Sequence, residues 1–217
     1  MSKRRKKARG NPAAEPEAEA ARPEIKDGFL TDANQRAATG EYSSPRILVY
    51  ALVFVAAFMF FYLHLYAMPQ LRHFADGLSM PGARVFGYSV EDIEQLRAVM
   101  EDSAAGQLNF LHITAGWIFP VTVVLATWAV MGLLVKGSWR WIFPSLAGGF
   151  AAVDIIENHL VDQILTMETL DAGTVTLAST FTVISWALLA VIAAGVLAVV
   201  GWDVIGRLRA RAAASRR

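Results

Sequence analysis

Long apolar runs alternate with short polar connections along this chain. Four of the runs are longer than the roughly 20 residues that an α-helix needs to cross the hydrocarbon core of a bilayer. They predict four membrane spans, near residues 46–68, 109–135, 141–165 and 175–202. We therefore expect an all-α fold, a four-helix transmembrane bundle over residues 46–203, in which no second folded domain is accommodated.

Two prolines punctuate the predicted spans. Pro69 directly follows the first apolar run, at a place where a proline fits a helix end. Pro120 lies in the middle of the second span, where its missing amide hydrogen and its ring disturb the preceding turn. We expect a kink in the second span at Pro120.

The connection over residues 69–108 is the longest between spans, and its second half carries a helix signature. Ser89 stands three residues before Asp92, the spacing of a capping box, in which each side chain bonds the other residue's backbone amide. Apolar residues follow at helical spacing, which predicts a short extracytoplasmic amphipathic helix that lies on the bundle or in the headgroups. A lid over an outer pocket, or a partner-docking surface, is the alternative. The apolar stripe consists of Ile93, Leu96, Val99 and Met100.

The distribution of basic residues predicts the topology. Of the twenty Lys and Arg residues, ten lie in 1–46, two in 136–140 and five after residue 202. The segment 69–108 has only three, together with six acidic residues. Because short cytoplasmic loops are enriched in Lys and Arg, we expect both termini in the cytoplasm and the segment 69–108 outside. The membrane expected is the plasma (inner) membrane of a bacterial cell.

The two ends of the chain are interpreted as basic cytoplasmic tails. Residues 1–45 combine a Lys/Arg cluster with Ala, Pro, Glu and Gly, a composition that buries too little apolar surface to become ordered. Residues 204–217 are rich in Arg. Both tails suit anionic lipid headgroups better than nucleic acid. The chain contains no cysteine, which excludes a disulfide framework and a thiolate metal site.

The third span carries a polar stretch inside an otherwise apolar run. At 100° per residue, Asp154, Asn158 and Asp162 fall within about 80° of one another, with Glu157 and His159 on either side. A charge in hydrocarbon costs roughly 2.5–3.5 kcal/mol on insertion scales, so this face must meet other helices, a water-filled cavity or an ion. The opposite, lipid-facing arc is expected to consist of Val153, Ile156, Leu160 and Ile164.

Polar residues of several spans are expected in one layer. At ~1.5 Å of rise per residue, His64 lies about 10 Å and His112 about 15 Å outward of the middle of their spans. The run from Glu157 to Asp162 lies about 6–14 Å outward, level with the hydroxyl-rich start of the fourth span. A polar pocket in the outer half of the bilayer follows. Its candidate residues are Asp154, Glu157, Asn158, His159, Asp162, His64 and His112.

Three interpretations of this cluster compete. The residues could hydrogen-bond one another and fix the register of the helices. Glu157, His159 and Asp162, with the two histidines, could instead hold a divalent metal such as zinc and support hydrolysis of a lipid-like substrate. No HExxH or comparable ligand spacing is present. Thirdly, the acids could form a proton or cation relay or line a small-ligand pocket. The pattern specifies no cofactor.

Several short motifs resemble a family of uncharacterised four-span bacterial integral membrane proteins. The shared features are Gly-Tyr-Ser at 87–89, Phe-Pro at 119–120 and the Asp-x-x-Glu-Asn signature at 154–158. The resemblance covers about residues 46–200 and implies the four-span topology without implying an activity. Members often carry an acid just before the Phe-Pro pair, where this chain has Ala-Gly-Trp at 115–117. If that acid partners the acids of the third span, its replacement here weakens a catalytic interpretation.

The leading functional hypothesis is therefore non-enzymatic. It describes an accessory or ligand-binding membrane component, with the lipid bilayer and a further membrane protein as expected partners. The alternatives are a membrane-embedded metal-dependent hydrolase and a proton or cation relay.

Overall fold

A computed structural model describes residues 45–215, and this part of the chain is helical and contains no β-strand. The predicted disordered tail lies outside the described residues, as do the last two residues of the C-terminal tail.

The first long helical stretch changes its winding near its C-terminal end. Helix α1 spans Pro45–Phe61, continues as a π-helix over Tyr62–Ala67, and returns to α-helical winding in α2, Met68–Leu71. A 3₁₀ turn, Arg72–Ala75, ends the stretch. Because the ring of Pro69 would clash with a carbonyl one turn earlier, the wider π turn before it relieves that contact.

The predicted amphipathic helix, α3, spans Val90–Val99, and its predicted capping box is confirmed. Ser89 donates its backbone N–H to the Asp92 carboxylate at 2.8 Å, and the Asp92 N–H donates to the Ser89 hydroxyl at 3.2 Å. Ile93 and Leu96 are fully buried, whereas Val99 is 40% exposed. The helix therefore lies on the bundle, along two residues of the predicted stripe.

The second span is interrupted at Thr114 and not at Pro120. It consists of α4, Asp102–Ile113, and α5, Ala115–Leu134, with Pro120 inside the latter. Thr114 has φ −110° and ψ −89°, outside helical geometry, and its hydroxyl donates to the carbonyl of Phe110 at 2.6 Å. The irregular backbone of this span thus lies six residues before Pro120, which stands inside α5.

The last two helices form an antiparallel pair. After a 3₁₀ turn, Ser138–Trp141, helix α6 spans Ile142–Thr166 and helix α7 spans Ala172–Ala214. Asp171 caps α7, since its carboxylate accepts from the backbone N–H of Thr174 at 2.7 Å. At ~1.5 Å per residue, α7 is about twice the thickness of a bilayer core, so it extends beyond any membrane that it crosses.

Three helical stretches are long and apolar enough to cross a membrane. They are Arg46–Ala75, Ser103–Leu134 and Ala172–Ala214. The chain thus has the composition of a multi-pass membrane protein. Helix α6 is not one of the three, because the polar residues of its second half lower its mean hydropathy. The predicted four-span bundle is confirmed to the extent of an all-helical fold with three such helices.

Helix α6 is packed between α5 and α7, while α1 packs against α5. Phe150, Val161 and Ile164 of α6 are fully buried, and Leu160 is 9% exposed. The expectation that Leu160 and Ile164 face lipid is therefore wrong. Ile156 of the same arc is 46% exposed, as expected. Because α5 and α7 both pack against α6, more of its surface is buried than the pattern of polar residues along α6 predicts.

Candidate functional site

The acids nearest the centre of α6 are held by hydroxyl groups of α7. Glu157 is 5% exposed and accepts a hydrogen bond from the Thr182 hydroxyl at 2.8 Å. One turn along α6, Asp154 accepts from the Ser185 hydroxyl at 3.1 Å. The polar stretch is therefore hydrogen-bonded to the neighbouring helix. A carboxyl group removed from water needs such partners.

A segment of the connection between α2 and α3 covers one of these acids, Glu157. We call residues 79–88 the cap; it contains the 3₁₀ turn Pro81–Ala83, and its Met80 is 1% exposed. The Trp186 indole N–H donates to the carbonyl of Gly82 at 3.1 Å. An added Cβ at Gly82 would lie 3.4 Å from the Glu157 carboxylate, so cap and acid are in contact distance. Glu157 is enclosed by α7 on one side and the cap on another.

The cap is also fixed where it leads into α3. The backbone N–H of Tyr88 donates to the Ser179 hydroxyl at 2.8 Å. Gly87 has φ +86°, and a Cβ there would lie 2.6 Å from the Ser179 oxygen. A glycine is required at this position both by the backbone conformation and by the close approach to α7.

Asp162 is held from the opposite side, by α4. Its Oδ1 lies 2.7 Å from Nδ1 of His112, and its Oδ2 accepts from the Asn109 amide at 2.8 Å. His112 is 4% exposed. When Asp162 is ionised, the short contact requires His112 to carry its proton on Nδ1. Two side chains of one helix thus orient a single carboxylate of another.

A polar cleft opens beside this carboxylate, between α4 and α6. It has a volume of about 490 Å³. His159, which is exposed, lines the same cleft as Asp162. The full lining consists of Ala105, Gly106, Asn109, His159, Asp162, Gln163 and Thr166.

The remaining two predicted residues lie apart from this cleft. Asn158 is half-buried and faces Gly116 of α5, where an added Cβ would lie 3.1 Å from the Asn158 amide nitrogen. His64 is surrounded by the rings of Phe60, Phe119 and Trp186, with ring centroids 4.8, 5.8 and 4.7 Å away. Its Nδ1 is buried without a hydrogen-bond partner among the described residues.

The predicted cluster is thus divided. Asp154 and Glu157 are bonded to α7, and Glu157 also meets the cap. Asp162 and His159 line the cleft, and His112 bonds Asp162 from α4. His64 and Asn158 lie apart from both groups. Within residues 45–215, no three His, Asp or Glu side chains are grouped so that they could hold a metal ion. The proposed ligands Glu157, His159 and Asp162 consequently do not form one centre.

An apolar cavity of about 360 Å³ lies elsewhere, in the space flanked by α1, α5 and α7. Its lining is formed by aliphatic and aromatic side chains, among them Phe60, Phe119 and Leu189, with Thr127 as the polar exception. Phe60 and Phe119 separate it from the ring of His64.

Sequence reasoning missed which residues pair with one another to give the site its shape. Asn109, Ser185 and Trp186 are ordinary polar or aromatic residues of membrane helices, and nothing in their spacing marks their partners. Gly87-Tyr88 was noted only as part of a resemblance. The positive φ of Gly87 is the physical reason for a glycine there.

The fold and these contacts define an all-helical protein of the multi-pass membrane class, with carboxylates buried between helices. Comparison with known protein families, with curated proteins and with solved structures finds no match to this chain. The resemblance to four-span bacterial membrane proteins stays a prediction.

Proposed function

We propose that this protein is a non-enzymatic, ligand-binding accessory component of the bacterial plasma membrane, with α6 as its fourth span. The hydrogen bonds from Thr182 and Ser185 support this assignment of α6, because they satisfy the carboxyl groups that lower its hydropathy. Both termini are placed in the cytoplasm.

Aromatic residues support the position of the bilayer. Trp139 and Trp202 are 72% and 81% exposed, and Arg140 lies over the Trp141 ring at 5.2 Å. Exposed tryptophans with a neighbouring basic residue are typical of the cytoplasmic interface. A membrane core needs about 20 helical residues, and that number counted along α6 from Ile142 ends at Val161, next to Asp162. The polar cleft then lies at the outer headgroup level.

The observation that carries the proposal is the orientation of Asp162. Its two oxygens are held by His112 and Asn109, and the same carboxylate lines an open cleft. A carboxylate offers about four acceptor positions, so Asp162 can accept further hydrogen bonds from a ligand. The cleft lining contains no Lys or Arg. We infer that the ligand presents a cationic, hydrogen-bond-donating group, the chemistry of an ammonium headgroup.

Ligand-induced stabilisation of the purified full-length chain tests the proposal. A ligand that binds only the folded state raises the midpoint of thermal unfolding. We expect short-chain phosphatidylethanolamine to raise that midpoint more than phosphatidylglycerol of equal chain length. Asp162→Asn should abolish the difference between the two lipids.

The matched control is Glu94→Gln, which removes an exposed outer carboxylate on α3, away from the cleft. It should leave the lipid preference intact. Equal stabilisation by both lipids, or a preference that survives Asp162→Asn, contradicts the proposal.

A further inference from the structure

The cap displays one aromatic side chain that contacts almost nothing of the chain itself. Phe86 is 96% exposed, more than any other large apolar side chain of residues 46–215. Its neighbour Val85 is 40% exposed. One exposed aromatic side chain carries little by itself, so the surface that surrounds Phe86 decides what it meets.

Hydrogen bonds and an ion pair fix the backbone on both sides of Phe86. On one side, Arg84 forms an ion pair with Asp92 at 2.8 Å, and its Nε donates to the carbonyl of Ser79 at 3.1 Å. On the other side, Gly87 donates its N–H to the Arg84 carbonyl at 2.9 Å. The hydrogen bond between Tyr88 and Ser179 then ties the turn to α7.

The turn is attached to α7 at a place where that helix shows apolar side chains outward. A Cβ at Gly87 would lie 3.3 Å from Val183, so the turn rests on Ser179 and Val183. Val183 and Ile184 are 39% and 42% exposed. Helix α7 is one of the three helices that are apolar enough to cross a membrane. Phe86 therefore extends an apolar surface that a bilayer would cover.

We propose that Phe86, together with Val85, inserts into the boundary between headgroups and acyl chains and anchors the cap to the outer leaflet. The inference rests on α7 crossing the membrane, which is part of the proposed function. The cap lies over Glu157. If the bilayer holds Phe86, it also helps to keep the cap in place over this acid. Arg84 lies on the other side of the turn and stays with the polar helix α3.

The chain contains no cysteine, so single-cysteine spin labelling tests the position of each residue without a background. Full-length Phe86→Cys in lipid nanodiscs is labelled, and its collision rates with oxygen and with a water-soluble nickel chelate are compared. We expect oxygen to dominate at position 86. Val191→Cys serves as the lipid-exposed reference on α7, and Glu94→Cys as the aqueous reference on α3.

Two results overturn the anchor. A label at 86 that collides mainly with the chelate, as at 94, places the turn in water. A label that is shielded from both reagents places it against protein, as in a contact between two copies. A label at 191 that is not reached by oxygen contradicts the spanning position of α7 instead, and so separates failure of the proposed function from failure of the anchor.

A second labelling position leaves the Phe86 side chain in place during the measurement. The label is moved to Val85→Cys, with Phe86 either retained or changed to Asp. We expect chelate accessibility at position 85 to rise with Phe86→Asp, because a carboxylate is expelled from the apolar boundary. Unchanged accessibility contradicts insertion of Phe86.

Discussion

The hydroxyl of Thr182 lies 2.8 Å from the carboxylate of Glu157, and both residues are buried. The same hydroxyl lies 3.1 Å from the carbonyl of Ala178. A hydroxyl has one proton to donate. When Thr182 bonds Glu157 it stabilises the ionised acid, and when it bonds Ala178 it can accept from the protonated acid. This contact is the direct link between α6 and α7 at the level of the cap.

Thr182→Val should destabilise the protein because it keeps the shape of the side chain and removes the hydroxyl. A buried acceptor left without its donor costs about 1–3 kcal/mol. The free energy of unfolding, measured by denaturant titration in mixed micelles, should fall by that amount.

Glu157→Gln is the matched variant for this contact. The amide retains an acceptor for Thr182 and carries no charge. The free energy of unfolding of this variant should therefore be at least that of the parent chain. The contact has no role in stability if Thr182→Val matches the parent. The Gln carbonyl would also be left unpaired by Thr182→Val, so a smaller loss in the Glu157→Gln background assigns the difference to the charge of the carboxylate.

Helix α6 illustrates what a helical wheel can predict. The wheel predicts that the acids meet other helices, a water-filled cavity or an ion, and Glu157 and Asp154 do meet α7. It could not predict that Leu160 and Ile164 are buried, because their burial depends on how many neighbours surround α6. It also could not divide the acids between α7 and α4. Which helix an acid contacts depends on how the helices pack, and the polarity of one segment does not show it.

The cap was beyond prediction for a related reason. Trp186 and Gly82 are 104 positions apart in sequence, and Tyr88 and Ser179 are 91 apart. The capping box at Ser89 could be predicted, because both partners lie within one helical turn. Local patterns therefore gave the start of α3, whereas the fit of the preceding residues over Glu157 follows from tertiary contacts.

Gly87→Ala should dislodge the cap. A side chain in the left-handed region costs roughly 1–2 kcal/mol, and the added Cβ at Gly87 would also lie 2.6 Å from the Ser179 oxygen. We expect the free energy of unfolding to fall by more than the cost of the left-handed backbone conformation alone. Increased proteolytic cleavage between residues 79 and 88 should accompany it.

Gly77→Ala separates the two contributions. Gly77 has φ +81°, close to that of Gly87, but nothing lies within 4 Å of a Cβ there. Gly77→Ala should lower the free energy of unfolding by the cost of the backbone conformation and leave the cap in place. If both variants lose the same stability and show the same cleavage pattern, the close approach of Gly87 to α7 is unimportant.

Gly195→Ala tests the packing of α7 on the start of α6. An added Cβ at Gly195 would overlap the ring of Phe143. Overpacking of this kind costs typically about 1–3 kcal/mol. Thermal unfolding of the reconstituted protein should occur at a lower temperature in this variant.

Gly201→Ala is its control on the same helix, because no atom lies within 4 Å of a Cβ there. Alanine favours helix over glycine by about 1 kcal/mol, so this variant should be equal to the parent chain or more stable. A Gly195→Ala protein that gains stability as Gly201→Ala does would show that Phe143 moves aside without cost.

The capping box of α3 should be lost at low pH. The hydrogen bond from the Ser89 backbone N–H lowers the pKa of Asp92 from its ordinary value of 3.8, and the Arg84 guanidinium lowers it further. An acid with a lowered pKa in the folded state stabilises that state fully above its unfolded pKa, here about 3.8. The stabilisation is lost as pH falls through the lower, folded-state value.

The difference in unfolding temperature between the parent chain and Asp92→Asn isolates this effect, because every other acid titrates in both proteins. We expect the parent to be the more stable at pH 5 and the difference to vanish once the pH is below the folded-state pKa of Asp92. The Arg84 pair is partly exposed and contributes little of this difference. A difference that stays constant from pH 5 to pH 2.5 means that Asp92 acts through packing and not through its charge.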